Sequence, residues 1–490
     1  MNIYSRFETA FRRARDAAAL ICPGGEDWTH ARLIAEVDRA AAALDAWGVG
    51  VGDRVLVQTE KTPAAVALYL ACVKSGAVYV PINTAYTHPE VEYFIADCQP
   101  ALYVVGDRFD ADVPVAVLDD GGSGTFLRGA ATVPVPTVDR ADDDLAAIIY
   151  TSGTTGRSKG AMLTHANLIS NAETLCAAWD WRADDVLLHA LPIFHVHGLF
   201  VALHCAFLNA TPVVLLPRFE VSALLRELSG ATVLMGVPTF YTRLLEDASF
   251  DADSCANMRL FISGSAPLAE QTFAAFEQRT GFRILERYGM SETLMNTSNP
   301  LAGERVAGTV GFALPGIAVR VADDGGKELP PGEVGNIELK GPNVFKGYWR
   351  QPERTAAEFR DDGFFVTGDM GTMDGEGRLT IVGRTKDVVI TGGYNVYPKE
   401  VEALLDEMPG VDESAVIGIA HSDFGEAVVA VVVARGCPVN QADVDSYLKG
   451  KLARYKQPKR VVCLGDLPRN AMGKVQKNVL RATYAHLFRG

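Results

Sequence analysis

Tyr150-Thr151-Ser152-Gly153-Thr154-Thr155-Gly156-Arg157-Ser158-Lys159-Gly160 is the stretch on which the reading of this chain turns. It follows an apolar run over 145–150 that predicts a buried strand, and it precedes a predicted helix over about 164–179. It packs hydroxyls, three glycines and two cations into a few residues. Glycines let a backbone approach an anion closely, and hydroxyls with backbone N–H groups can wrap phosphate oxygens. The GxxxxGK[ST] spacing of a Walker A loop is absent. An ordinary flexible loop is the competing interpretation, and the density of phosphate-seeking groups favours phosphate binding.

Outward from this loop, the pattern up to about residue 285 is strand, turn, helix, strand. Runs over 54–59, 77–82, 186–191, 211–216, 231–237 and 258–263 predict strands, and 64–75 and 221–228 predict helices. Such alternation implies α/β layers with largely parallel sheets. Residues 303–340, rich in Gly, Pro and Val, predict short strands and turns in a small, barrel-like β subdomain. Beyond Gly383 comes a compact α+β unit, with helices over 399–407 and 441–452 and strands over 414–419, 427–433 and 460–464. The expected organisation is a large N-terminal domain over 1–383, a hinge at 384–387 and a small, mobile C-terminal domain over 388–490.

The bulk properties narrow the function. A 490-residue chain is too long for one compact core. It carries a net charge of -14, with 48% hydrophobic and 22% charged residues. An acidic chain lacks the basic surface that nucleic-acid backbones require. The eight cysteines are scattered with no CxxC pair, which points to reduced thiols rather than a zinc or redox motif. Arg6, Arg12, Arg13 and Arg15 precede no apolar signal core, and no apolar run reaches membrane-spanning length. A first helix is expected there instead of a targeting peptide, and a cytoplasmic location follows by default.

The glycine-rich loop resembles the signature of the adenylate-forming superfamily of acyl-CoA synthetases, nonribosomal adenylation domains and luciferases. Further motifs follow in that family's order across almost the whole chain. Tyr288-Gly289-Met290-Ser291-Glu292 is similar to the family's YGxTE motif, with Ser291 where threonine is commoner. The resemblance implies that Thr151, Ser152, Gly153, Thr154, Thr155, Gly156 and Lys159 hold the ATP phosphates. It implies that Gly264, Ser265, Ala266 and Tyr288 line adenine, and that Asp369 and Arg384 hold the ribose. Glu292 is expected to bind Mg²⁺, a hard cation suited to carboxylate and phosphate oxygens. The hydroxyl of Ser291 would face the α-phosphate. By the same resemblance Lys386 is the pivot, Lys474 is the catalytic lysine, and Gly392, Gly393 and Tyr394 line the coenzyme A tunnel.

The acid is read from a few positions. Amino-acid-activating members carry an aspartate near residues 191–198, where this chain has His195 and His197. Arg287, directly before the adenine motif, suits a second substrate carboxylate, because a guanidinium matches a carboxylate bidentately. Its alternative is a structural ion pair with Glu286 or another acid. Arg243 adds a candidate charge nearby. Phrases around Phe194, Gly236, Leu285 and Gly341 look very like malonyl-CoA synthetases, which implies that His195, Ser265 and Arg287 contact malonate. The expected activity is therefore an AMP-forming ligation of malonate, or methylmalonate, to CoA, with no required protein partner. The alternatives are a ligase for a neutral short-chain or aryl acid, and an adenylation enzyme that loads a carrier-protein thiol.

Overall fold

The computed structural model describes residues 1–130, 133–151, 158–421, 423–434, 439–470 and 473–488. Two large sheets dominate the N-terminal region. The first runs, in spatial order, through Leu285–Met290, Leu260–Ser263, Val233–Gly236, Leu187–His189, Val213–Leu215 and Ala18–Ile21, all parallel, with antiparallel strands added at both edges. The second carries Leu145–Thr151, Val78–Pro81, Arg54–Gln58 and Leu102–Val105 as its parallel centre. These strands are short, continuous apolar runs because both faces are covered. The helix Pro63–Ser75 shows the local logic. Thr62 caps it by accepting from the Ala65 N–H, proline opens it, and Gly76 ends it at φ +74°.

The segment after the glycine-rich loop departs from expectation. No helix follows directly. Lys159–Thr164 returns as a strand antiparallel to Leu145–Thr151, with Lys159 opposite Thr151, and the helix starts only at His165. The return strand is tolerated because Gly160 has no Cβ to meet Ile148 and Trp349. Thr151 and Lys159 therefore face each other at the end of a β-ribbon. The outer edge of Lys159–Thr164 pairs with Gly347–Tyr348.

The β subdomain is larger than expected and open. Ala318–Ala322, Gly335–Lys340, Phe365–Met373 and Leu379–Arg384 form a four-stranded antiparallel sheet in linear order, not a barrel.

Beyond it, Val411–His421 and Gly425–Ala434 form a long hairpin with two apolar faces. Val428, Ala430 and Val432 pack with Val401, Leu405 and Val444, while Val429 and Val431 pack with Leu467 and Leu480. This is the period-2 alternation of a strand covered on both sides. Neither cluster contains a residue before Val389.

Candidate active site

Three side chains converge where the first sheet meets the β subdomain. Tyr288 lies in the strand Leu285–Met290, and its hydroxyl donates to Asp369 Oδ2 at 2.6 Å. Asp369 Oδ1 takes Arg384 Nε at 3.0 Å, and the two residues face each other in antiparallel register. Tyr288 and Asp369 are buried. Gly264, Ser265 and Ala266 follow the strand Leu260–Ser263. Ser265 holds φ +71°, the left-handed region that a side chain rarely adopts, and its Oγ lies 3.2 Å from His197 Nδ1.

A second cluster sits at the end of the β-ribbon. Glu292 is buried, and burial raises its pKa. It accepts from Thr151 Oγ1 at 3.4 Å and from the Tyr348 hydroxyl at 3.0 Å. The same hydroxyl lies 2.7 Å from Glu358 Oε2, and Glu358 Oε1 pairs with Lys159 Nζ at 3.3 Å. Lys159 also lies over the Tyr348 ring, 4.1 Å from its centroid. Ser291 is half-buried beside Glu292. Ser152, Gly153, Thr154, Thr155 and Gly156 lie outside the described residues.

The third group is a buried cluster around Arg287, which is 2% exposed. Its Nε and Nη2 have no hydrogen-bond partner among the described residues. Glu286 exerts a favourable charge effect on it but forms no ion pair with it among the described residues. Adjacent strand residues point to opposite faces, and Glu286 Oε1 instead accepts from the Leu268 N–H at 3.1 Å. Burial lowers the Arg287 pKa to about 9, which still leaves it charged at neutral pH. Gly264 makes room for the guanidinium, since a Cβ there would land on it. His195 is pushed down to about 4 by burial, then by Arg287 and Lys474, so it is neutral. Its Nδ1 accepts from the His197 N–H at 3.2 Å, which leaves the proton on Nε2 as a donor. His197, also lowered by burial and Arg287, is neutral too. A charged fork among neutral imidazoles is suited to an anion with its own carboxylate geometry.

Lys474 comes from the C-terminal region. Its loop is pinned by Lys474 N–H to Asn470 Oδ1 and by Asn470 N–H to the Lys474 carbonyl, each 2.9 Å. Gly473 packs against Thr239 of the large domain, where a Cβ would come within 3.1 Å of the Thr239 hydroxyl. Burial, then Arg384, lowers the Lys474 pKa to about 8, and Asp369 opposes this. Lys474 therefore stands near both Asp369 and His195. Lys386 lies in the short turn Thr385–Asp387, where Arg481 Nη2 holds Asp387 Oδ1 at 2.6 Å.

Two groups are not brought in. Gly392 and Gly393 form a two-residue hairpin turn at φ +57° and +83°, and Tyr394 beside them is 61% exposed. Arg243 is the other. On the helix Pro238–Glu246, Phe240, Tyr241 and Leu244 face inward. Residue 243 is two positions, about 200°, from Tyr241, so Arg243 is exposed and lines a cavity of 810 Å³ between the large domain and residues 464–484. Sequence reading missed Glu358 and the bridging role of Tyr348. Their partners are far along the chain, and no local pattern marks them.

The family model described as AMP-binding enzyme matches residues 7–349, and the AMP-binding enzyme C-terminal domain matches 400–474. The structure is similar to that of ATP-bound MatB from Rhodopseudomonas palustris, with a TM-score of 0.96 and 51% identity, covering 100% of this chain and 99% of that one. A malonate–CoA ligase of Arabidopsis thaliana is 35% identical over 88% of this chain and 78% of its own length. An indoleacetate–CoA ligase of Aromatoleum aromaticum is 36% identical over 94% of each.

Proposed function

From the premise that the chain belongs to the AMP-binding enzyme family, we propose that it joins malonate to coenzyme A at the expense of ATP, through malonyl-adenylate. Relatives of nearly equal identity carry the names of a dicarboxylic and an aryl acid. The choice of acid therefore rests on the pocket, and the observation that carries it is Arg287, buried and charged with two donors unpaired. A buried charge without a partner is costly, so the site favours a substrate that brings a second carboxylate. His195 Nε2 and Ser265 Oγ would complete its hydrogen bonds. One added methyl is only weakly excluded by an apolar wall, so methylmalonate is an expected second substrate.

In the first step the free carboxylate oxygen attacks the α-phosphorus of ATP and pyrophosphate leaves. Asp369, through the ribose hydroxyls, and Tyr288, against adenine, would fix the nucleotide. Thr151, Lys159 and the loop between them would hold the outer phosphates, with the Ser291 hydroxyl near the α-phosphate. Lys474, still largely protonated with its pKa near 8, would meet the charge that develops there. The site fits a magnesium ion. Glu292 and Glu358 both lie within reach of the single Tyr348 hydroxyl, which can donate to only one of them. Glu292 would hold the ion, which when bound neutralises phosphate charge. In the second step the CoA thiol attacks the acyl carbon and AMP leaves. That step calls for the unit over 388–490 to turn about 384–387, with Lys386 as pivot. Lys474 withdraws and Gly392, Gly393 and Tyr394 enter. The separate cores of the C-terminal unit support such a rigid turn.

The test is ATP- and CoA-dependent product formation over malonate, methylmalonate, succinate, acetate, propionate and benzoate, with AMP and pyrophosphate quantified. Malonyl-CoA as the dominant product supports the reading. Preference for a monocarboxylate overturns the acid, and adenylate formation without transfer to CoA overturns the acceptor.

A further inference from the structure

Outside the groups used above, the most unusual side chain is Lys61. It is 6% exposed, and among the described residues no carboxylate is in contact with it. Its Nζ lies 2.8 Å from the Leu191 carbonyl, 3.2 Å from the His189 carbonyl and 3.3 Å from His189 Nδ1. His189 Nε2 in turn lies 2.9 Å from the Gly198 carbonyl.

The proton positions follow from chemistry. A carbonyl only accepts, so His189 must carry hydrogen on Nε2. Burial and Lys61 lower the His189 pKa to about 3, so the ring is neutral and Nδ1 is a bare acceptor. Lys61 therefore faces three acceptors, which match the three N–H bonds of an ammonium. Burial pushes its pKa down.

The geometry explains what the cage is for. Residues 191–198 form a tight loop. Gly198 closes on the Pro192 carbonyl so closely that a Cβ there would collide with it. The wide helical turn His197–Leu203 starts from this loop. Leu191 opens the loop and Gly198 closes it, and His195 and His197 lie between. Lys61 grips the opening end directly and the closing end through His189. It is itself fixed between the strand Arg54–Gln58 and Thr62, the cap of the helix Pro63–Ser75.

We propose that Lys61 is a positioning residue for the acid pocket, acting through the His189 imidazole on the Gly198 carbonyl to hold His195 and His197 against Arg287. This rests on the reading that the Arg287 pocket takes the acid. Lys61 does not touch substrate. Its effect is on the placement of His195 Nε2 and of the His197–Ser265 contact.

The test compares Lys61→Met, His189→Asn and His189→Gln in the full chain, with KM for malonate and for ATP measured separately. Asparagine keeps an acceptor near Nδ1 for Lys61 but loses the Nε2 donor. Glutamine keeps a donor for Gly198, and its amide oxygen remains an acceptor for Lys61. Loss of a buried hydrogen bond predicts a rise in malonate KM of about tenfold or more for Lys61→Met and His189→Asn, with ATP KM within about twofold. His189→Gln should stay close to wild type. An unchanged malonate KM in Lys61→Met, or an equal rise in both KM values, overturns the proposal. If Lys61→Met fails to fold, equal behaviour of the two His189 variants overturns it instead. Arg287→Met, run alongside, separates the two readings. If it leaves malonate use unchanged, the acid-pocket reading falls. If it abolishes malonate use while the Lys61 and His189 variants match wild type, only the positioning role falls.

Discussion

Replacing Arg287 with methionine removes the charge and the donors while keeping an unbranched apolar stem. Among the described residues Nε and Nη2 have no hydrogen-bond partner, and the guanidinium is buried. Each charge-assisted hydrogen bond to a bound carboxylate contributes about 1.5–3 kcal/mol. Two such bonds, less the cost of desolvating the acid, leave about 3–4 kcal/mol for the second carboxylate. That is roughly a 10²- to 10³-fold loss in kcat/KM for malonate. The same substitution relieves an unpaired buried charge, so the unliganded protein should lose no thermal stability. Two assays run together: kcat/KM for malonate and propionate, and the melting temperature with and without malonate. The variant should lose malonate activity, retain or gain propionate activity, and lose the malonate-induced stabilisation, which at 100 times Kd is about 2.7 kcal/mol. An equal loss for both acids, or a variant still stabilised by malonate, would refute the argument.

In the proposed mechanism Lys474 must be cationic to meet developing phosphate charge, and its pKa is lowered to about 8. Pyrophosphate release in the first step should be fully active below that value and decline as pH rises through it. Lys474→Arg should move the decline upward, and a rate that climbs between pH 7 and 9 would refute this. Glu358 pairs with Lys159, the cation proposed to hold the outer phosphates. Glu358→Gln should lower the ATP KM about threefold to tenfold, as expected for loss of a partly buried ion pair of about 1 kcal/mol. A raised ATP KM counts against it. Gly264→Ala places a Cβ on the Arg287 guanidinium. Overpacking should cost about 1–3 kcal/mol of stability. That penalty should shrink when Arg287→Met is added, and additive penalties in thermal denaturation would contradict the contact.

The parallel strands were legible because burial on both faces leaves a continuous apolar run, as in Val78–Pro81 and Leu260–Ser263. The return strand Lys159–Thr164 was not. Its six residues are too few to show a period, and they run straight into a capped helix. In the site, Tyr288, Asp369, Arg384 and Glu292 were named from motifs, and the structure gathers them. Glu358 and Lys61 were invisible, since a lysine is defined by its acceptors and those of Lys61 lie about 130 residues away. Arg243 was named as a candidate charge near the acid, but the helix Pro238–Glu246 leaves it exposed.

The hydroxyl shared between Glu292 and Glu358 makes proton stoichiometry observable. Burial raises the proton affinity of Glu292, so as pH falls into the carboxylate range this side chain takes up a proton that a magnesium–nucleotide complex must displace. Titrated in a calorimeter, the nucleotide would then release protons to the buffer, and the measured heat would change with the buffer's enthalpy of ionisation. Well above that range, with the Glu292 carboxylate already bare, this contribution to the buffer dependence would vanish.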